Sequence, residues 1–351
     1  MASNNALDDQ NLNAEPSPAP AKRTWTRWVR RLLGLLLLAA IAAGAGEAYL
    51  HWINNHGLND YVERARYYDT MRIEKTYFRN RNDISGKFGG VAVRINGMGC
   101  RGRRIPTIKR PAAYRVIMVG DEKTFGWAVP EKKTFPALLQ QALDRDYIGK
   151  FEVLNAGTPG WDLTMMHEYV TQYLPRLSPD LICVLMDSED ILGNKYRDLT
   201  GQLFAEGLYR YSYLARMFHL LLRPRPNLTP DRLNVIRARP AFFGIENLAI
   251  GMSIPVILVY WSLNNDTFYA QATAALPQPD KILYAKLIDA QPILAQLSPS
   301  QAYTGLVGHY PSPQAHKLLS QLFLDVVSRK ASNFIFQRRD GQPAPRDRSP
   351  K

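Results

Sequence analysis

Residues 115–130 read Arg-Val-Ile-Met-Val-Gly-Asp-Glu-Lys-Thr-Phe-Gly-Trp-Ala-Val-Pro, and this stretch decides the fold. It opens with a β-branched apolar run, Val116 to Val119, which predicts a buried strand. The chain then turns at Gly120-Asp121 and leads towards a helix that we predict over Thr134 to Leu143. A strand–turn–helix unit of this kind places its turn at the carboxyl edge of a parallel sheet, where α/β proteins usually bind ligands.

Three more segments have the pattern of buried parallel strands. They are the short stretch Phe151 to Leu154 and the apolar runs Leu181 to Met186 and Ile254 to Tyr260. A helix is predicted from Leu163 to about Leu174, and a helix interrupted by prolines over Leu276 to Leu297. Strands that alternate with helices predict an α/β fold, a three-layer α/β/α sandwich on a doubly wound, flavodoxin-like parallel sheet.

The N-terminal segment predicts a membrane anchor. Residues 1–27 are expected to be a disordered leader that ends in a basic cluster, and residues 28–53 a transmembrane helix. From Leu32 to Ile53 the chain is long and apolar enough for a ~30 Å hydrocarbon layer. The basic residues before it predict a cytoplasmic N-terminus and an extracytoplasmic domain. Two alternatives stay open, a cleaved signal peptide with Ala43-Gly-Ala45 as its site, and a buried helix.

The chain of 351 residues carries a formal net charge of +13, and much of it falls in a basic neck predicted over residues 54–110. The neck favours contact with anionic lipid or an acidic polysaccharide. The alternative is a solvated, irregular segment that packs on the domain, which is predicted over residues 111–330. A disordered tail is expected at 331–351. Nucleic acid is not an expected partner outside the cytoplasm.

Several blocks of the sequence are similar to those of a known superfamily. Gly120-Asp121-Glu122 resembles the Gly-Asp-Ser block of the SGNH (GDSL-type) hydrolases. Arg94 to Gly102 resembles the Asn-x-x-Gly-Phe-Arg-Gly segment that precedes that block in bacterial members. Asn155 to Gly160 resembles the second block, in which a glycine N–H binds the developing oxyanion, and Gly160 matches that glycine. The resemblance to bacterial members, taken with the predicted membrane anchor, implies an inner-membrane protein with its domain in the periplasm.

The same resemblance shows which catalytic groups are replaced. Glu122 stands in the place of the nucleophilic serine. Glu189 stands in the place of the third-block asparagine, whose amide completes the oxyanion hole. His309 matches the catalytic histidine, but Val307 occupies a position where its orienting aspartate is expected. Loss of one oxyanion donor costs about 3 kcal/mol of transition-state stabilisation, and a carboxylate there should cost more.

Three hypotheses about function remain open. The first is a catalytically degenerate domain that acts in binding or assembly within an envelope or polysaccharide-related complex. The second is a carboxylate site for a divalent cation or for acid/base chemistry. The third is an active carboxylic-ester hydrolase with a displaced nucleophile, for which Ser188 and Ser312 are the nearest serines. The predicted site residues are His309, Glu122, Gly160 and Glu189, and the acids expected at the same sheet edge also include Asp121, Asp187 and Asp190.

No cofactor is predicted, since neither cysteine has a metal-ligand partner at a recognisable spacing. Aromatic residues near the strand ends suggest either a sugar-stacking platform or ordinary core packing, and they are Phe125, Trp127, Trp161 and Trp261.

Overall fold

A computed structural model describes residues 21–53, 58–71, 79–192, 203, 206–222, 232–261, 285–304, 310–331 and 338–340. The chain divides into two compact units, Met1–Leu50 and His51–Lys351. Most of the predicted leader, most of the tail, and the positions Val307 and His309 lie outside the described residues.

The described elements alternate between helices and strands along the chain. In chain order they are α1 (Ala21–Ile53), α2 (Asp60–Met71), β1 (Ile84–Phe88), β2 (Val91–Ile95), β3 (Ala113–Gly120), α3 (Glu122–Phe125), α4 (Phe135–Asp146), β4 (Lys150–Asn155), α5 (Leu163–Gln172), β5 (Leu181–Met186), α6 (Ser188–Leu192), α7 (Gly207–Tyr211), α8 (Tyr213–Leu222), α9 (Arg232–Met252), β6 (Val256–Tyr260), β7 (Ala285–Asp289), α10 (Gln291–Leu294), α11 (Pro299–Ala302), β8 (Tyr303–Thr304), β9 (Tyr310–Pro311) and α12 (Pro313–Ala331).

Five parallel strands form the central sheet of the larger unit, in the order β4-β3-β5-β6-β7. The strand order reverses between β3 and β5, which makes the sheet doubly wound and opens a crevice at the carboxyl ends of these two strands. The predicted doubly wound parallel sheet is therefore confirmed. Strand β3 is buried along its whole length, as its apolar sequence requires.

Helices cover both faces of this sheet and give the three layers. On one face, α5 and α9 pack against the strands through residues such as Met166 and Phe242. On the other face, α4 and α12 pack through residues such as Leu139 and Leu319. The amphipathic spacing of apolar residues in these helices matches the stripe that each presents to the sheet.

The helix predicted over Leu276 to Leu297 is wrong in its described part. Residues Ala285–Asp289 form edge strand β7, paired with β6, and only the short α10 that follows is helical. Leu287 packs into the cluster on one face of the sheet and Ile288 into the cluster on the other. That alternation is the period of two of a strand, which is too short here to stand out among the prolines.

The segment predicted as a basic neck contains regular structure. Helix α2 and the antiparallel hairpin of β1 and β2 lie within it. Tyr67 and Phe88 share a third apolar cluster with Phe125 and Trp127. Some of its basic side chains are engaged inside the domain, since Lys109 pairs with Asp180, and Arg110 with Glu152. The interpretation as an irregular solvated segment is therefore corrected, because burial of these aromatic residues requires an ordered backbone.

In helix α1, the stretch Trp25–Ile53 is long and apolar enough to cross a membrane, and it is the one such helix in the described part of the chain. Length and composition alone support this. The predicted span, residues 28–53, lies inside it. Its leucines, among them Leu36 and Leu38, are exposed.

Candidate functional site

Glu122 lies at the switch point of the sheet, as the first residue of α3 directly after β3. Asp121 caps this short helix, its carboxylate accepting a hydrogen bond of 2.8 Å from the backbone N–H of Lys123. The Glu122 side chain turns towards the second block, where its Oε2 accepts the backbone N–H of Gly160 over 2.9 Å. Arg64 of α2 lies on the other side, with its Nη2 3.6 Å from Glu122 Oε1. The structure thus brings together two of the predicted site residues, Glu122 and Gly160.

The backbone of Gly160 is shaped for this contact. Its φ of +82° is a left-handed conformation that glycine adopts without a steric penalty. In an ester hydrolase, an N–H in this position would be available to the negative charge that develops on the substrate oxygen. In this chain the carboxylate of Glu122 accepts that N–H.

Lys123 supplies positive charge to the buried acids beside this site. Its ammonium lies 2.8 Å from Asp121 Oδ2 and 2.5 Å from Asp187 Oδ2, and its side chain is 6% exposed. Burial lowers the pKa of Lys123, but attraction to Asp121, Asp187 and further acids outweighs burial and holds the pKa well above its ordinary value. The lysine is therefore a charged counter-ion and not a neutral base.

Asp187 and Asp190 hold the start of α6 through reciprocal hydrogen bonds. The N–H of Asp187 donates to Asp190 Oδ2 over 2.8 Å, and the N–H of Asp190 donates to Asp187 Oδ1 over 3.0 Å. Carboxylate oxygens of Asp121, Asp187 and Asp190 lie within 4.8 Å of one another, a spacing at which a cation could be held. However, Lys123 already brings a positive charge into contact with two of these three acids, so the cluster has a counter-ion of its own.

A second buried carboxylate, Asp60 of α2, is connected to Glu122 through Arg64. Its two oxygens accept hydrogen bonds from Trp127 Nε1 and from the hydroxyl of Tyr310, the latter over 2.6 Å. Arg64 Nη1 donates to the same hydroxyl over 3.1 Å, so one arginine contacts both Tyr310 and Glu122. Burial raises the pKa of Asp60 to about 6, although Arg64 and these hydrogen bonds oppose the rise.

Sequence reasoning missed this inner group. Arg64 falls within the predicted basic neck, and neither Asp60 nor Tyr310 was assigned a role from the sequence. A signal did exist, because Asp60 and Arg64 are four residues apart and so share one face of a helix. Tyr310 directly follows His309, the predicted histidine. Its burial against Asp60 fixes the described backbone on the C-terminal side of that position.

Arg101, in the segment upstream of the first block, stabilises the backbone that follows Glu122. Its guanidinium donates to the carbonyls of Phe125 over 2.8 Å and of Val129 over 2.7 Å. Asn155 adds a hydrogen bond of 3.2 Å to the same Phe125 carbonyl. These donors satisfy the carbonyl of Phe125, the last residue of α3, and that of Val129 beyond it, which the short helix cannot satisfy itself. Arg101 belongs to the stretch from Arg94 to Gly102 that resembles a family segment. In this structure it stabilises the backbone after α3.

Gly157 allows the second block to pass directly over the turn. A Cβ at this position would lie 2.2 Å from the backbone nitrogen of Phe125, closer than any non-bonded contact permits. The backbones of the first and second blocks therefore touch here, which is what brings Gly160 within reach of Glu122.

The remaining predicted residues are placed as follows. Glu189 lies in α6 at the same sheet edge, and its side chain lies outside the described part of the structure, as does His309. Ser312 is committed to helix capping, because its hydroxyl accepts the N–H of Ala315 over 3.1 Å and donates to the carbonyl of Gln301. Ser188 is the partly exposed first residue of α6. The four aromatic residues near the strand ends are at most 3% exposed, so they pack in the core and offer no sugar platform: Phe125, Trp127, Trp161 and Trp261.

Fold and site together describe a doubly wound α/β protein with a buried, charge-paired carboxylate cluster at its switch point. No protein-family model matches the chain, and no curated protein matches it. Among solved structures it is similar to the lipase/acylhydrolase from Enterococcus faecalis, at 14% identity and a TM-score of 0.41, over 61% of this chain and 95% of that chain.

Two further solved structures show similar values. The acetylxylan esterase from Geobacillus stearothermophilus has 15% identity and a TM-score of 0.39, over 60% of this chain and 92% of that chain. The GDSL-like lipase from Bacteroides thetaiotaomicron has 13% identity and a TM-score of 0.38, over 62% and 88%. Similarity this low carries no argument about activity. The α/β architecture rests on the strand order, and the resemblance to the SGNH hydrolases on the sequence blocks.

Proposed function

We propose that this chain is a membrane-anchored, extracytoplasmic SGNH-hydrolase-like domain that has lost ester hydrolysis and acts as a binding or assembly subunit of an envelope or polysaccharide-related complex. One observation carries the loss of activity. The N–H of Gly160 donates to the carboxylate of Glu122, at the position where a serine would have to attack. The group that should stabilise an oxyanion is engaged by an anion of the protein itself.

The charges around Glu122 make a nucleophilic role unfavourable for this carboxylate. Arg64 lies 3.6 Å from its other oxygen. A carboxylate with an N–H donor on one oxygen and a guanidinium beside the other is stabilised as a resting anion. Attack on an ester carbonyl would forfeit these interactions, and Glu189 stands in the place of the amide that should complete the oxyanion hole. Lys123 cannot act as a base in its stead, because its pKa is held well above its ordinary value.

The anchoring part of the proposal rests on α1 and on the charges before it. The stretch Trp25–Ile53 could span a bilayer. The basic residues N-terminal to it favour a cytoplasmic N-terminus, which would leave the α/β domain in the periplasm of a bacterial cell. A reporter enzyme that is active only outside the cytoplasm, fused after Lys351, should be active in cells. An inactive C-terminal fusion would contradict this orientation.

The loss of hydrolysis is tested with the purified full chain. Hydrolysis of p-nitrophenyl acetate and of acetylated sugars by the wild type is expected to equal that of a His309→Ala variant. The matched gain-of-function variant is Glu122→Ser combined with Glu189→Asn and Val307→Asp, which restores the family residues. We expect it to show turnover that disappears when His309→Ala is added. Wild-type turnover that depends on His309 would refute the proposal and would favour an active esterase.

A further inference from the structure

The corner formed by α7 and α8 exposes an apolar surface that the core does not use. Leu208 and Tyr211 of α7 are 71% and 75% exposed. In α8, Phe218, Leu221 and Leu222 are 55%, 70% and 81% exposed. The three α8 residues have the spacing i, i+3 and i+4, so they lie on one face of the helix. Large apolar side chains clustered in this way mark a surface that contacts another apolar phase.

The charge of this corner has a single sign. Residues 207–222 contain no acidic residue, and Arg210 is their exposed basic residue, since Arg216 is buried and His219 is half-buried. An apolar face, flanking basic groups and exposed aromatic rings are the features of a helix that lies in the interface of an anionic bilayer. A protein partner would need an acidic group placed to match Arg210, whereas anionic lipid headgroups supply negative charge over the whole surface.

The corner is attached to the segment that leaves α1. Arg216 is buried, and its guanidinium donates to the carbonyls of Tyr209 over 2.6 Å and of Arg210 over 3.0 Å, which locks α8 against α7. The same guanidinium donates to Asn59 Oδ1 over 3.1 Å. His51, the first residue of the larger unit, packs edge-on against Tyr213 with ring centroids 5.1 Å apart.

Chain length then limits how far the corner can be from a bilayer that α1 crosses. Asn59 follows Ile53, the last residue of α1, by six residues, which span at most about 20 Å when fully extended. Arg216 therefore stays within roughly that distance of the end of α1. We propose that α7 and α8 form a second membrane contact, an interfacial corner that inserts Phe218, Leu221 and Leu222 into an anionic lipid surface. The inference rests on the membrane anchor of the proposed function.

The test places a fluorescent probe on single introduced cysteines in the full chain, reconstituted in vesicles of phosphatidylcholine and phosphatidylglycerol. Cys100 and Cys183 are buried and should not react. The test variants are Phe218→Cys and Leu222→Cys. Ile108→Cys is the matched control, because Ile108 is an equally apolar residue that is 86% exposed elsewhere on the domain. Leu36→Cys in α1 reports the anchor itself.

The measured quantity is quenching by phospholipids that carry a spin label on the acyl chain. Since the apolar face of an interfacial helix reaches about 5–10 Å into the headgroup and acyl boundary, we expect roughly twofold quenching at Phe218 and Leu222 and none at Ile108. Quenching should weaken in vesicles of phosphatidylcholine alone. Quenching at Leu36 without any at Phe218 and Leu222 would overturn the inference and leave the anchor intact. No quenching at Leu36 would refute the anchor and the inference with it.

A probe at Phe218 that is shielded from water but not quenched by lipid would show that protein covers the corner. That result would also overturn the inference. It would be checked by repeating the measurement at decreasing protein-to-lipid ratio, where shielding by a second copy of the chain should be lost.

Discussion

The backbone N–H of Gly160 and the carboxylate of Glu122 are joined by a 2.9 Å hydrogen bond, although the two residues come from different blocks of the sequence. The bond depends on two other contacts. The close approach at Gly157 brings the second block over the turn, and Arg64 of α2 lies beside the other oxygen of Glu122. The switch point of the sheet is therefore closed by contacts within the protein.

The value of this bond is tested by two substitutions at one position. Glu122→Gln keeps an oxygen for the Gly160 N–H but removes the charge near Arg64, so the loss of stability should be smaller than that of Glu122→Ala. Glu122→Ala leaves the N–H of Gly160 without this acceptor and should cost about 1–3 kcal/mol. Melting temperatures of the three proteins, with hydrogen exchange at the Gly160 amide, measure the effect. Equal exchange rates in all three would contradict the bond.

The Lys123 counter-ion should matter more than a surface charge. Lys123→Met leaves Asp121 and Asp187 buried without their shared cation, and removing one partner of a buried ion pair typically costs about 3–5 kcal/mol. The matched control is Lys133→Met, because Lys133 is exposed and should cost less than about 0.5 kcal/mol. If both variants melt at the same temperature, the buried charge assignment is wrong.

The effect of divalent cations on the melting temperature also tests whether Lys123 is the counter-ion of Asp121, Asp187 and Asp190. The melting temperature of the wild type should not respond to calcium, magnesium or manganese, because a cation would have to displace the Lys123 ammonium. In Lys123→Ala, three carboxylates within 4.8 Å of one another would lack their lysine, and a metal-dependent rise is expected. A rise in the wild type that disappears in Glu122→Gln with Glu189→Gln would instead support a native cation site.

Asp60 gives the protein a pH dependence of predictable sign. Its pKa is about 6 in the folded protein, against an ordinary value of 3.8, so the folded state binds the proton more tightly. The stability it contributes is present in full below about pH 4 and is lost as pH rises through about 6, a change of about 3 kcal/mol at most. Asp60→Asn should lack this component. The difference in melting temperature between variant and wild type should therefore shift in favour of the variant between about pH 4 and 7, and a constant difference would contradict the raised pKa.

The contact at Gly157 is tested by adding one methyl group. Gly157→Ala would place a Cβ 2.2 Å from a backbone nitrogen, which cannot move without displacing α3, and a loss of about 2 kcal/mol or more is expected. Gly251→Ala is the control, because nothing lies within 4 Å of its added Cβ and alanine is the better helix former in α9. The control should be neutral or slightly stabilising. A tolerated Gly157→Ala would show that the two blocks are less tightly packed.

The central sheet could be predicted because its strands are buried on both faces. Continuous apolar runs such as Leu181 to Met186 leave few other structures open, and the glycine turns after β3 and β4 mark the sheet edge. Strand β7 could not be predicted, because its alternating Leu287 and Ile288 span too few residues to reveal a period. The extent of α9 could not be predicted either, because Pro240, which usually interrupts a helix, lies inside one that runs from Arg232 to Met252.

Residues of the site could be predicted only where they belong to a recognisable sequence motif. Glu122 and Gly160 belong to blocks with a fixed order, so their meeting at one sheet edge could be expected. The four-residue spacing of Asp60 and Arg64 places both on one helix face, but neither this spacing nor the position of Lys123 shows whether these side chains are buried. Only tertiary contacts show that Arg64 and Tyr310, 246 positions apart, meet beside Glu122.

The packing of α2 and the β1–β2 hairpin against the switch point has a practical consequence for producing this domain without helix α1. Tyr67 and Phe88 pack against Phe125 and Trp127, and Asp60 receives the indole N–H of Trp127. A shortened version that starts at the first sheet strand would expose these aromatic rings and aggregate. An N-terminal truncation should therefore begin upstream of Leu58. The truncated protein then keeps α2 and the hairpin, which cover the switch point.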